Sequence, residues 1–196
     1  MASQPVLYYD LVSPEAYLTS ERAVEVLGVV AEWQPIHLAR LPGAGALDAF
    51  RCAEERDIFQ DELARLAAAR GLQPLRWPPG WPGDTLLAMR VATYAKSIGR
   101  AVAFSLAAFR QAFAAGRDLA DPDSVVIAAA ACEMHPAAVL KAAETRGVAD
   151  ALARATDAAH AAGVRGVPAV RVDDRVFHGD RELEAAAAAL GKEYVG

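Results

Sequence analysis

The apolar residues change their period twice along the chain, and the changes mark out three regions. Pro5 to Asp10 is a continuous apolar and aromatic run that ends on an acid, the pattern of a short buried strand. Ser13-Pro14-Glu15 then opens a helix. Serine is a favoured N-cap, proline is pre-set for the first helical position, and glutamate suits the positive end of the helix dipole. Tyr17, Leu18, Ala23, Val24 and Leu27 follow at helical spacing, and Gly28 ends the run. A second strand is predicted over about 29–38, with Pro35 where no donor is needed. Strand, helix and strand within the first forty residues imply a parallel pair.

The middle reads differently. Pro42-Gly43-Ala44-Gly45 is a loop, and helical period and composition then cover 47–70 and 84–115. Between them, 73–83 is too rich in proline for a regular element and carries two of the three tryptophans. Asp121-Pro122-Asp123-Ser124 caps a helix through about Met134, Pro136 begins another, and 149–162 is a further helix. Strand character returns at the end. Val167 to Val172, the turn Asp173-Asp174 and Arg175 to His178 predict a hairpin, followed by a helix over 181–190. The fold class expected is therefore α/β: the two ends form one sheet, and a large all-helical insertion separates them.

Composition narrows the function classes. With 54% hydrophobic and 23% charged residues, the 196-residue chain suits one globule or two intimate subdomains. A net charge of −5 lacks the basic footprint of nucleic-acid binding. No apolar run reaches membrane-span length, and Met1-Ala2-Ser3-Gln4-Pro5 carries no signal-peptide pattern. Two cysteines eighty positions apart form no redox pair, so a cytoplasmic protein without a disulfide framework is expected, with Cys52 and Cys132 as small buried apolar residues. Four scattered histidines show no metal-ligand spacing.

Two segments carry candidate chemistry. Asp10-Leu11-Val12-Ser13-Pro14 puts a hydroxyl at the junction of the first strand and first helix, where open α/β sheets bind ligands. Ser13 is either a plain N-cap or a donor that holds an anion with the help of the helix dipole. Gly163-Val-Arg-Gly-Val-Pro168 places a proline at the start of a core-like strand after two glycines, either a turn before an edge strand or a cis Val167–Pro168 bond.

Taken in order, these segments resemble the 2-hydroxychromene-2-carboxylate isomerase family, relatives of the kappa-class glutathione transferases on a DsbA-like thioredoxin fold. The resemblance rests on Asp10-x-x-Ser13-Pro14-x-x-Tyr17-Leu18, Arg90-x-x-x-Tyr94-Ala95, Phe109-x-x-x-Phe113-x-x-Gly116, Thr156-Asp157-x-Ala159, Gly163 to Pro168 and Phe177-x-Gly179. It implies a thioredoxin-like domain over 1–40 and 163–196, a helical insertion over 41–162, and a cytoplasmic glutathione-dependent cis-trans isomerase acting on a small aromatic substrate. Ser13 would replace the thioredoxin-type cysteine and donate to the glutathione sulfur, lowering the thiol pKa. Val167, before a cis Pro168, would pair its backbone with the cysteinyl part of glutathione. Two further readings remain: a kappa-like glutathione transferase, or a thiol-binding protein on a non-redox fold. A disulfide oxidoreductase is disfavoured, since Ser13 has no cysteine near it. A homodimer is possible by analogy with relatives.

The chain departs from the family in two places. Members often hold the γ-glutamyl end of glutathione with a Gly-x-Asp-Arg-Leu segment; here the run is Gly179-Asp180-Arg181-Glu182-Leu183, so Asp180 sits one place early and Arg181 takes the expected acid position. Asp180 and Arg181 are thus the candidate contacts, with a simple N-cap as the other reading of Asp180. Around 51–61, acids with Arg51 and Arg56 stand where members carry lysine and tyrosine. Tyr17, Trp77 and Trp81 are candidates for an apolar substrate wall.

Overall fold

The computed structural model describes residues 4–191; the segments Met1–Ser3 and 192–196, included above in the terminal domain ranges, lie outside the described residues. Strand β1 (Val6–Tyr9), helix α1 (Pro14–Leu27) and strand β2 (Glu32–Pro35) form the first unit, with β1 and β2 parallel and Tyr9 opposite Pro35. Ser13 caps α1 and Gly28 ends it in the left-handed region (φ 61°), both as the sequence predicts. Strands β3 (Ala169–Val172) and β4 (Arg175–His178) form the hairpin, and β3 lies antiparallel beside β1, giving the order β2-β1-β3-β4. Asp173 in the hairpin turn adopts φ 51°, a conformation that aspartate tolerates better than most residues.

Six helices come between β2 and β3: α2 (Ala53–Ala69), α3 (Leu86–Ser97), α4 (Ala101–Phe113), α5 (Pro122–Ala130), α6 (Pro136–Ala143) and α7 (Arg146–Ala161). The single helix expected over 84–115 is two, because Gly99 at φ 73° breaks it between α3 and α4. The helix expected from residue 47 begins at Ala53; 47–52 is irregular. The helix after Asp121 ends at Ala130 rather than near Met134, where Glu133 takes φ 59°. At the C-terminal side a 3-10 turn, Asp180–Glu182, leads into α8 (Leu183–Ala189).

The strands alternate their side chains between two cores. Leu7, Tyr9, Trp33, Val170 and Val172 face the larger one with α1, α8 and most of the helical segment; Val6, Tyr8, Ile36 and Ala169 face a smaller one with Val164, Val167 and Leu38. The helical segment is thus packed on the sheet. Tyr9 is central to the contact: its ring meets Trp33 at 5.6 Å and Phe109 at 5.9 Å, and its hydroxyl bonds Ser105 Oγ at 2.5 Å. Burial drives the Tyr9 phenol pKa upward, the Ser105 bond opposing it. Among the described residues no helix is long and apolar enough to cross a membrane.

Candidate active site

The β1–α1 junction holds Ser13 by its backbone and its side chain. Ser13 N–H donates to Asp10 O (3.1 Å), and Ser13 O starts the helical ladder by accepting from Tyr17 N–H (3.1 Å). Its Oγ accepts from Ala16 N–H at 3.1 Å, the N-cap bond, and donates to Val167 O at 3.5 Å. The second bond is at the outer limit of hydrogen bonding, so the hydroxyl proton is only loosely held. Ser13 is fully buried. Val167–Pro168 is cis. Among the described residues Val167 N–H has no hydrogen-bond acceptor, while Gly179 N–H donates to Pro168 O at 2.8 Å. A loosely held hydroxyl proton therefore stands at the positive end of α1, beside the backbone carbonyl of Val167.

Asp10, which the sequence offers only as an acid at a strand end, proves to be the hub of the junction. Its Oδ1 accepts from Val12 N–H (3.0 Å) and Thr85 Oγ1 (2.8 Å), and its Oδ2 from Leu38 N–H (2.7 Å). One carboxylate thereby ties β1 to the turn after β2 and to the start of α3. Burial raises its pKa, and those bonds together with nearby His37 work against the rise. Beside it opens a cleft of about 610 Å³, lined by Asp10, Val12, His37 and Thr85 and by the loop 38–48.

At the other side of α1, Asp180 is 3% exposed and heavily engaged. Thr19 Oγ1 donates to it at 3.0 Å, Arg70 forks onto both oxygens (Nη1 at 3.1 Å), and Arg22 lies 3.6 Å away while also pairing with Glu184. Asp180 is the first residue of the 3-10 turn, and no side-chain capping bond is made there. Arg181 is exposed and pairs with Glu62 of α2. Thr19, Arg22 and Arg70 carry no local signal in the sequence, because Asp180 lies 161 and 110 positions from Thr19 and Arg70.

The three aromatic candidates do not share one cavity. Trp77 and Trp81 pack edge to face at 4.8 Å, Phe59 stacks on Trp81 at 6.1 Å, and the Trp81 indole N–H donates to Val12 O at 2.8 Å. They form a cover over the residue preceding Ser13. Tyr17 is buried one ring further in, stacked on Phe113 at 5.9 Å and tilted against Phe109 at 6.1 Å, and Phe113 in turn meets Trp77 edge to face at 6.2 Å. Cys132 is buried as expected, but Cys52 is exposed at the N-cap of α2, outside the apolar face of that helix.

Residues 6–191 match the model of the DSBA-like thioredoxin domain family. No curated protein matches the sequence. Among solved structures, a 2-hydroxychromene-2-carboxylate isomerase superposes with a TM-score of 0.82 at 20% identity, over 96% of this chain and 95% of the other. A probable DsbA oxidoreductase from Streptomyces coelicolor gives 0.81 at 23% identity, over 97% and 88%. The cytosolic disulfide reductase DsbM from Pseudomonas aeruginosa, solved with GSH, gives 0.63 at 16% identity, over 96% of each chain. At these identities the likeness is one of fold.

Proposed function

Because the chain belongs to the DSBA-like thioredoxin domain family, we propose that it uses that fold without its redox chemistry, as a glutathione-dependent cis-trans isomerase resembling the 2-hydroxychromene-2-carboxylate isomerases. The observation that carries this reading is Ser13: a hydroxyl stands at the N-cap of α1 beside the cis Val167–Pro168 bond, while Cys52 is exposed on α2 and Cys132 is buried in the helical segment. With no thiol of its own at the junction, the chain would take its sulfur from a ligand.

The thiol end of glutathione fits the residues present, and the amino end fits poorly. Ser13 Oγ already accepts the capping bond from Ala16 N–H, so its one proton can turn from Val167 O to a sulfur anion. The N-terminal dipole of α1 favours the same charge, and together they lower a thiol pKa. The spare Val167 N–H suits the backbone of an extended ligand laid alongside as an added strand. Asp180, by contrast, already meets Thr19, Arg70 and Arg22, leaving little of the carboxylate for a ligand ammonium. That favours a second reading in which a thiol other than glutathione is bound. A thiol held by Ser13 and the Val167 backbone would supply a nucleophilic sulfur for reversible addition to a conjugated double bond, the chemistry that cis-trans isomerisation needs. The chain's own part is to hold that sulfur anionic through Ser13.

Ser13→Ala is expected to lower thiol-dependent isomerisation of 2-hydroxychromene-2-carboxylate and of its carboxylate-free analogue 2-methylchromen-2-ol about a hundredfold, with the circular dichroism of the wild type. Equal turnover by the two proteins would remove Ser13 from the mechanism. Calorimetry with glutathione and with cysteamine tells the two thiol readings apart.

A further inference from the structure

One turn beyond Ser13, helix α1 borders a second cavity that the isomerase reading does not use. Its volume of about 480 Å³ falls in the range of small-molecule sites, about 300–1,000 Å³. Its wall takes Tyr17 and Glu21 from α1, Leu72 and Gln73 from the stretch after α2, Arg110 from α4, and Ala115 just past the end of α4. Among the described residues, neither Ser13 nor Trp77 nor Trp81 lines it, so it is separate from the β1–α1 junction.

One polar group in that wall has no partner. Tyr17 is 2% exposed and its ring is packed on Phe113 and Phe109, yet its hydroxyl makes no hydrogen bond among the described residues. A buried phenol ordinarily finds one. The oxygen is not sealed into the core: it is the polar end of a residue that lines the cavity, close enough to Glu21 and Arg110 for their charges to act on it. Burial first, and then Glu21, raise the phenol pKa against the pull of Arg110, so the hydroxyl keeps a proton to donate. The charged groups beside it cancel one another. Arg110 forks onto Glu21, with Nε to Oε1 at 2.7 Å and Nη2 to Oε2 at 2.8 Å, and the Glu21 side chain is only 11% exposed. The fork leaves Arg110 Nη1 with donors to spare and the carboxylate with free lone pairs. Gln73 adds an amide that makes no hydrogen bond among the described residues.

We propose that this cavity is a second binding site, for a small neutral molecule that carries a carboxamide: its carbonyl accepts from Tyr17 O–H and Arg110, and its N–H donates to Glu21. The wall presents donors and an acceptor with no net charge, which a carboxamide complements and a single charge does not. A carboxylate would be repelled by Glu21 and an ammonium by Arg110. Leu72 and Ala115 give the remainder of the molecule an apolar surface. The site is independent of the isomerase reading, since it uses neither Ser13 nor a thiol.

The probe is benzamide, compared with benzoate and benzylamine, which share its ring. Magnetic resonance of protein with isotope-labelled tyrosine rings follows five tyrosines, and the signal missing from Tyr17→Phe is that of Tyr17. Benzamide is expected to shift this signal saturably in the millimolar range, and the two charged probes to bind about fivefold or more weakly. Tyr17→Phe keeps the stacked ring, should give the circular dichroism of the wild type, and should weaken benzamide in calorimetry about three- to tenfold, the loss of one hydrogen bond. Ala115→Leu fills the cavity from an exposed position and should weaken benzamide at least as much, which keeps the proposal testable if Tyr17→Phe does not fold. The proposal is overturned if benzamide leaves the Tyr17 signal unmoved at tens of millimolar, if either charged probe binds as tightly as benzamide, or if either folded variant binds benzamide as the wild type does.

Discussion

Asp10 and Asp180 are both buried carboxylates flanking helix α1, at 1% and 3% exposure, and they are satisfied in opposite ways. Asp180 meets cations: two guanidinium groups converge on it, and one of these reaches on to Glu184. Asp10 meets only neutral dipoles. The first arrangement is a closed knot that joins α1, the end of α2, the 3-10 turn and α8, and its field is spent internally. The second secures the backbone through neutral donors, and with no guanidinium beside it burial raises the carboxyl pKa. Burial of a carboxylate therefore says little by itself about whether it serves structure or ligand; the charge state of its partners decides that.

The contrast can be broken by experiment. The largest effect is expected at the knot. Asp180→Ala strands Arg70 and Arg22 partly buried without their counter-charge, and should cost about 3 kcal/mol in urea denaturation, the lower end for a broken buried pair because both guanidiniums retain some solvent. A loss too small to measure would place Asp180 among the ligand-facing groups instead.

Asp10→Asn comes next, at about 2 kcal/mol near neutral pH, because the amide nitrogen must oppose a donor at one of three bonds. Its pH dependence separates it from the knot. Burial raises the folded-state pKa of Asp10 above the unfolded value, so the folded chain holds that proton more tightly. The stability this confers is complete below the unfolded pKa of about 3.9 and is lost as pH rises through the folded pKa. Wild type should therefore gain on Asp10→Asn as the pH is lowered from 7 to 4, and a flat difference would contradict it.

The smallest effect concerns His178, whose Nε2 accepts from Arg165 N–H at 3.0 Å. Burial and then the Arg165 charge lower its pKa, so the unfolded chain protonates first and stability falls as the pH drops below about 6.5. His178→Gln keeps an acceptor and should remove that slope. Since the slope runs opposite to that of Asp10, measuring both variants over one pH series isolates the cleft carboxylate.

Much of this molecule is legible in local sequence. Ser13-Pro14-Glu15 and Gly28 mark both ends of α1, and Gly166-Val167-Pro168 announces the cis bond, because caps and proline geometry are short-range properties. The break at Gly99 lies inside a continuous helical period, where one glycine is an ambiguous signal. The candidate site was less legible. Ser13 and Val167 come from different ends of the chain, and their order within known motifs suggested the pairing. The Asp180 knot and the Asp10 hub depend on Thr19, Arg70, Leu38 and Thr85, ordinary residues whose meaning comes only from tertiary proximity.

The three bonds of Asp10 also bear on the order of assembly. They close spans of 2, 28 and 75 residues onto a single side chain. The first two need only the strand–helix–strand unit, whereas the third waits for the first turn of α3 to dock. That third bond exists only while α3 is docked, so lifting α3 from the sheet takes Thr85 away from Asp10. In this way the helical segment acts as a latch whose position is reported, through one carboxylate, at the residues just ahead of Ser13.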